Sequence, residues 1–390
     1  LGVAFFILAV MAGACCLIGS SGARPPDVAA DSGPRWIELL CQCDGRWYAA
    51  VASEGYSYDP RRPSSVAFFP LYPLAACVLG AATGAPAEWT LVVISNACLL
   101  AAFLILAAYV GSRMSEAEPV AWPYALLAFG LFPTTFFFRM AYSESLFVLL
   151  CLVALFGMHR GWSVAILAVV VGAATATRPV GVALLPPLAW EAWRKSPSCL
   201  AALRRLAWVM PLAAWGLLAY AAFLGLRFGD PMAFAKTQEN WRIRPPVSLG
   251  DKLLSLASWE PIWSAYDSYS LAYWGRRSDP APAAVSLQFA NPLYFLAAAS
   301  LVALGAMKRW LTAPEILLSA GLLAIPYFTR SYEMCMMGHG RFAAVVVPMY
   351  LVLGRLLARM TPLAAYGILA LSGFLMAVYA AMFAAGYVYA

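Results

Sequence analysis

Charge is what this sequence has least of. Only 12% of its 390 residues are Asp, Glu, Lys or Arg, against 63% hydrophobic. A soluble domain carries about twice that charge, so a soluble fold is excluded. There are only two histidines, and the nine cysteines show no paired metal-ligand spacing. Cys15, Cys16, Cys77, Cys98 and Cys151 lie in apolar runs, where a thiol behaves as a small hydrophobe. Cys41 and Cys43 lack the two further ligands a zinc site needs. They read as free thiols, with a disulfide to Cys335 as the alternative on an oxidising face. No Gly-rich nucleotide loop, internal repeat or low-complexity tail is present. The formal charge is +7, but the basic residues form no single face, so no nucleic-acid partner is expected.

Long apolar runs are abundant. Several approach the ~20 residues needed to cross ~30 Å of hydrocarbon, which predicts an all-α polytopic membrane protein built as a single domain over 1–390. The runs are 1–20, 89–111, 120–138, 143–158, 162–177, 180–193, 206–226, 291–307, 312–329, 342–358 and 362–390. We read 1–20 as a retained first span rather than a cleaved signal peptide. Residues 66–84 are apolar but short and punctuated by Pro70, Pro73, Gly80 and Gly84, so they are expected to lie in the interface. With that segment not crossing, the basic turns at Arg113, Arg160, Arg194–Arg205, Lys308-Arg309 and Arg355–Arg359 share one face. The positive-inside rule makes that face cytoplasmic. The count is about eleven crossings, with a first exoplasmic loop over 21–88 and a second over 227–290. Most carboxylates then lie outside, while Glu116, Glu118, Glu191 and Glu315 lie inside.

The first loop has the composition of a site. It carries Asp44 beside Trp47 and Tyr48, then Tyr56, Tyr58 and the Arg61-Arg62 pair. Asp44 could cap a helix, or act as a base flanked by rings that stack on sugar. Glu144, in Tyr142-Ser143-Glu144-Ser145, could serve a helix dipole or face the same pocket, with Arg139 as its partner. Arg178 precedes Pro179 and Gly181 inside an apolar stretch, which marks a broken helix. An arginine there either snorkels to the headgroups or presents its fork to a lipid-linked phosphate. Phe228-Gly229-Asp230-Pro231, followed by Gln238 to Trp241, opens the second loop as a turn and a surface helix. Gly338-His339-Gly340-Arg341 offers two donors on a backbone that a ligand can approach closely.

Taken in order, these pieces resemble the second mannosyltransferase family of GPI-anchor assembly and its bacterial relatives, within the GT-C superfamily. The resemblance rests on Asp44-Gly45-Arg46-Trp47-Tyr48, Ala67-Phe68-Phe69-Pro70-Leu71-Tyr72-Pro73, Ala141 to Phe147, Arg178-Pro179-Val180-Gly181, Gly229-Asp230-Pro231 through Trp241, and Arg341-Phe342. The family commonly carries Trp directly before the loop aspartate, where this chain has Cys43. The resemblance implies a GT-C-type bundle whose first exoplasmic loop holds interfacial helices. It implies an inverting enzyme that moves mannose from a polyprenyl- or dolichyl-phosphate donor to an exoplasmic hydroxyl, with Asp44 as general base.

Arg178, Arg341, His339 and Arg139 are then the candidates for the donor phosphate. Glu144, Trp47, Tyr48, Tyr56, Asp230 and Trp241 are the candidates for sugar and acceptor. The expected partners are the lipid-linked donor, a glycolipid, polysaccharide or protein acceptor, and the bilayer. No cofactor is assigned, although one metal-dependent branch of the superfamily leaves a divalent ion open. The rival class is a lipid or lipid-linked sugar transporter, which would show paired broken helices in two halves.

Overall fold

The computed structural model describes residues 36–113, 121–276 and 282–386. The expected span at 1–20, the start of the first loop, and Glu116, Glu118 and Asp279 lie outside the described residues. Every described secondary-structure element is helical. The first loop holds α1 (Trp36–Leu40), α2 (Asp44–Glu54) and α3 (Leu71–Thr83). The bundle continues with α4 (Ala87–Arg113), α5 (Ala121–Leu131), α6 (Glu144–His159), α7 (Val164–Thr177), α8 (Leu185–Arg194), α9 (Cys199–Ala213) and α10 (Trp215–Phe228). The second loop carries the short helices α11 (Ala233–Lys236), α12 (Leu249–Ala257) and α13 (Glu260–Trp263). The chain then runs through α14 (Leu287–Met307), α15 (Ala313–Arg330), α16 (His339–Ala344), α17 (Pro348–Ala358) and α18 (Pro362–Ala384).

Three helices, α4, α14 and α18, are each long and apolar enough to cross a membrane. Two bent pairs bring that to five: α5 with the turn Pro133–Arg139 at 70°, and α9 with α10 at 53°. Among the described residues the helices therefore account, by length and composition, for three to five of the eleven expected crossings. Several of the remaining described helices end where local chemistry breaks them. Phe132 and Arg178 each precede a proline and are extended, as a pre-proline residue prefers. Pro211 interrupts the end of α9. Large apolar side chains face outward on α3 (Leu74, Val78) and α18 (Leu363, Leu371, Phe374). A bundle with such faces sits in lipid, and the chain is an integral membrane protein.

Helix α4, 27 residues and about 40 Å long, runs between two chemically distinct ends. At its carboxyl end Arg113 pairs with the fully buried Glu315 at 3.0 Å. The Trp310 carbonyl there accepts from both Arg113 and Arg355, and Arg359 stacks over the Trp310 ring. Tyr109 meets His159 at the same end. The basic turns near Arg113, Arg160, Arg309 and Arg359 thus gather together. At the other end the first loop is docked, not loose. Tyr72 donates to Leu91 and bonds Ser95, Ser95 donates to the Tyr142 carbonyl, and Ala141 donates to the Leu40 carbonyl. Helix α3 is 13 residues, about 20 Å, short of the hydrocarbon thickness.

Small residues let the broken helices close up. A Cβ on Gly216 of α10 would lie 2.3 Å from the Gly172 carbonyl oxygen on α7. One on Gly181 would lie 2.5 Å from the Ala174 carbonyl oxygen. Backbones packed this tightly require glycine. The Gly181 contact folds the Pro179–Leu184 turn back on α7 and leaves Arg178 at the corner.

Candidate active site

Four charged side chains from four separate segments meet beside the docked loop. Asp44 is the first residue of α2, and Cys43, at φ 52°, occupies the cap position without a side-chain capping bond. Asp44 is therefore not the helix cap. Its carboxylate accepts from Arg341 Nη1 at 2.7 Å. Arg341 Nε lies 3.3 Å from Glu144 Oε1, which is also 2.5 Å from Arg178 Nη1. Neither Glu144 oxygen makes a well-aligned hydrogen bond, so these contacts are charge against charge. Arg178 also donates to Ser143 Oγ at 3.3 Å, and Ser143 shares a 2.8 Å bond with the Tyr48 hydroxyl.

Burial grades this cluster. Glu144 is 1% exposed, Arg341 6%, Arg178 15% and Asp44 27%. Glu144 is thus the inner counter-ion of both arginines, and Asp44 is the carboxylate that reaches open space. Burial works against the Arg341 charge, but Asp44 and Glu144 outweigh it and raise its pKa. The guanidinium also lies over the rings of Tyr142 and Phe342. Desolvation pushes the Tyr48 hydroxyl up and keeps it neutral.

The open space is a cavity of about 540 Å³ lined by Asp44, Tyr48, Arg178, Trp241, Arg330 and Arg341 among others. Much of the rest of its lining is apolar, from Leu322, Ile325, Pro326 and Phe328 of α15 with Phe69, Phe234 and Val345. Segments of the second loop close over it. Lys252 pairs with Glu333 at 2.5 Å, and the Glu333 carbonyl accepts from Ile243 and Arg244. Arg244 grips Glu260 through two bonds of 2.6 and 2.7 Å.

Not every expected residue reaches this cavity. Trp241 lines it and meets Trp47 and Phe68 edge-on, while Trp47 stacks on Phe68 behind that surface. Tyr56 donates to the Phe68 carbonyl and packs on Tyr220, so it supports the loop from behind. Asp230 lies away from the cavity, paired with Lys236 and accepting from the Met232 amide; the Lys236 bond holds its carboxyl low. His339 is fully buried between Phe295 and Phe342, and burial pushes its imidazole down to about 4. His339 is not among the residues that line the cavity. Arg139 does not line the cavity; its carbonyl accepts from Asn96. Arg61 and Arg62 are exposed and lie outside the cavity lining, Arg62 beside Asp59 at 3.9 Å. Cys41 donates its thiol to the Glu88 carbonyl and forms no disulfide.

Sequence reading gave no role to Arg330, Lys252 or Glu333, all of which line the cavity. Arg330 carried the same signal as Arg178, a cation closing an apolar run. Among the described residues no three His, Cys, Asp or Glu side chains come together as metal ligands.

The site thus joins a partly exposed carboxylate, several cations and apolar side chains in one cavity. A family model supplies the narrower placing. The mannosyltransferase (PIG-V) family matches residues 14–365, and the chain belongs to that family. No curated protein sequence matches the chain significantly. Two solved structures are similar. One is ArnT from Cupriavidus metallidurans bound to undecaprenyl phosphate, at TM-score 0.44 and 15% identity, covering 93% of this chain and 61% of that one. The other is the Archaeoglobus fulgidus oligosaccharyltransferase tethered to an acceptor peptide, at TM-score 0.43 and 12% identity, covering 98% and 55%. The chain thus spans less than two thirds of the length of either.

Proposed function

We propose that this protein is an inverting mannosyltransferase that takes its sugar from a polyprenyl-phosphate donor at the exoplasmic face. Family membership supports the sugar and the reaction class. The observation that carries the reading is the make-up of one cavity: a partly exposed carboxylate, Asp44, stands beside paired arginines in a space that also has an extensive apolar lining. Each part has work to do. The acceptor hydroxyl attacks the anomeric carbon as Asp44 takes its proton. The bond to the phosphate oxygen breaks with its electron pair, and the lipid phosphate leaves. The cavity cations offset the charge that grows on it. Attack opposite to departure gives inversion.

On this reading α3 is an interfacial helix, and the basic end of α4 is cytoplasmic by the positive-inside rule. Trp241 offers a ring face for the sugar at the cavity edge. The test is transfer of labelled mannose from a short-chain polyprenyl-phosphate mannose by the purified protein in liposomes, with the anomer of the product read by NMR. No transfer from that donor, or transfer with retention, would overturn the proposal.

A further inference from the structure

We infer that Arg330, at the carboxyl end of α15, is the side chain that receives the phosphate of the lipid donor. The inference rests on the proposed lipid-phosphate reading and gives that phosphate a definite place. Five cations line the cavity: Arg178, Arg242, Lys252, Arg330 and Arg341. Four already have carboxylates. Arg341 holds Asp44, Arg178 holds Glu144, Arg242 holds Glu239 and Lys252 holds Glu333. Among the described residues Arg330 is the cavity cation with no carboxylate at ion-pair distance. Its guanidinium lies 5.8 Å over the Phe342 ring, and the charges acting on it include Arg341, Asp44, Arg178 and Glu333.

Asking Arg178 or Arg341 to bind first would mean separating a mostly buried ion pair, which leaves a carboxylate unpaired at high cost. Arg330 needs no such exchange. The wall beside it points the same way. Leu322, Ile325, Pro326 and Thr329 all line the cavity. Their spacing of three, four and seven residues makes them one face of α15. Three of the four are apolar and Thr329 turns its hydroxyl onto the Ile325 carbonyl; the face runs about 10 Å, and the next residue is Arg330. A prenyl chain lying along it carries its phosphate to the guanidinium. Arg341 then stays with Asp44, so the binding cation and the base's partner are different residues.

The experiment measures binding of farnesyl phosphate to the purified chain, with farnesol as the phosphate-free comparator. Arg330→Met keeps an apolar stem and removes the charge. It is expected to raise the Kd for farnesyl phosphate about 10- to 100-fold, the loss of a charge-assisted contact. Farnesol binding should be unchanged, which also shows that the variant is folded. Arg330→Lys should restore part of the affinity. An Arg330→Met protein that binds farnesol and farnesyl phosphate as the wild type does would overturn the assignment while leaving the lipid-phosphate reading intact. A wild type that binds farnesyl phosphate no better than farnesol would overturn both. In case Arg330→Met does not fold, the wild type alone provides a second reading. Farnesyl phosphate should protect Arg330 from phenylglyoxal, followed by peptide mass spectrometry. Unprotected Arg330 at saturating farnesyl phosphate would overturn the assignment.

Discussion

Replacing Asp44 by Asn separates the two things that residue can do. Asn keeps the shape and can still accept from Arg341, but it cannot take a proton. The stability cost is bounded by the geometry. Arg341 remains within 3.3 Å of Glu144, but Glu144 then faces both Arg341 and Arg178, so one positive charge loses its full compensation. What is lost is one ion pair at a 27% exposed carboxylate and a favourable charge in the first turn of α2. Together these are worth about 1–3 kcal/mol, because Arg341 is mostly buried while Asn still accepts its hydrogen bond. The kinetic cost is far larger if Asp44 is the base, on the order of 10²–10⁴ in kcat. Donor KM should move little, because the phosphate is assigned to Arg330 and not to the partner of Asp44. The assay is mannose transfer from a short-chain polyprenyl-phosphate donor under saturating conditions, with the apparent Tm of each protein measured in the same detergent. A folded Asp44→Asn protein with near wild-type kcat would refute the reasoning. Glu144 could not take over the role without rearrangement, since at 1% exposure it lies behind both arginines.

Other outcomes follow from the same contacts. Glu144→Gln should destabilise the protein by about 3–5 kcal/mol, because Arg178 loses its buried partner; thermal unfolding in detergent checks this, and a Tm equal to wild type would contradict the counter-ion role. Glu260 is subject to burial, which raises its pKa, but the bond to Arg244 wins and holds it below the usual glutamate range. Its folded pKa is the depressed one, so its contribution is present above the unfolded value and is lost as pH falls through the folded value. The second loop should resist protease at neutral pH and loosen only as pH falls below the ordinary glutamate range, and Glu260→Gln should flatten that dependence. Gly216→Ala forces a Cβ against the α7 backbone and should cost about 1–3 kcal/mol in stability, read by the same unfolding assay.

Much of the site was legible along the chain, and the illegible part has a common cause. Asp44, Arg178 and Arg341 stand out because each interrupts an apolar context with a charge beside Gly or Pro. Arg330 carries a similar signal, yet a cation at the end of an apolar run is also the ordinary way to anchor a span. Nothing local separates the two. His339 between glycines looked accessible, but its ring is enclosed by Phe295 from a helix some forty residues earlier. Glu144 looked like a second sugar ligand, and its inward position depends on arginines contributed by two other segments.

Composition and apolar run length by themselves determined that the chain is helical and lies in a membrane. Scarce charge cannot cover a soluble surface, and unpaired backbone cannot cross hydrocarbon. The prolines after Phe132 and Arg178 determined where helices break, since a pre-proline residue avoids the helical region. Which charges pair, which carboxylate stays open and which cation stays without a carboxylate were decided only in three dimensions. Electrostatic partnership falls off with distance through space and is indifferent to distance along the chain. Arg341 and Asp44, 297 residues apart, meet at 2.7 Å, and that meeting has no signature in either neighbourhood alone.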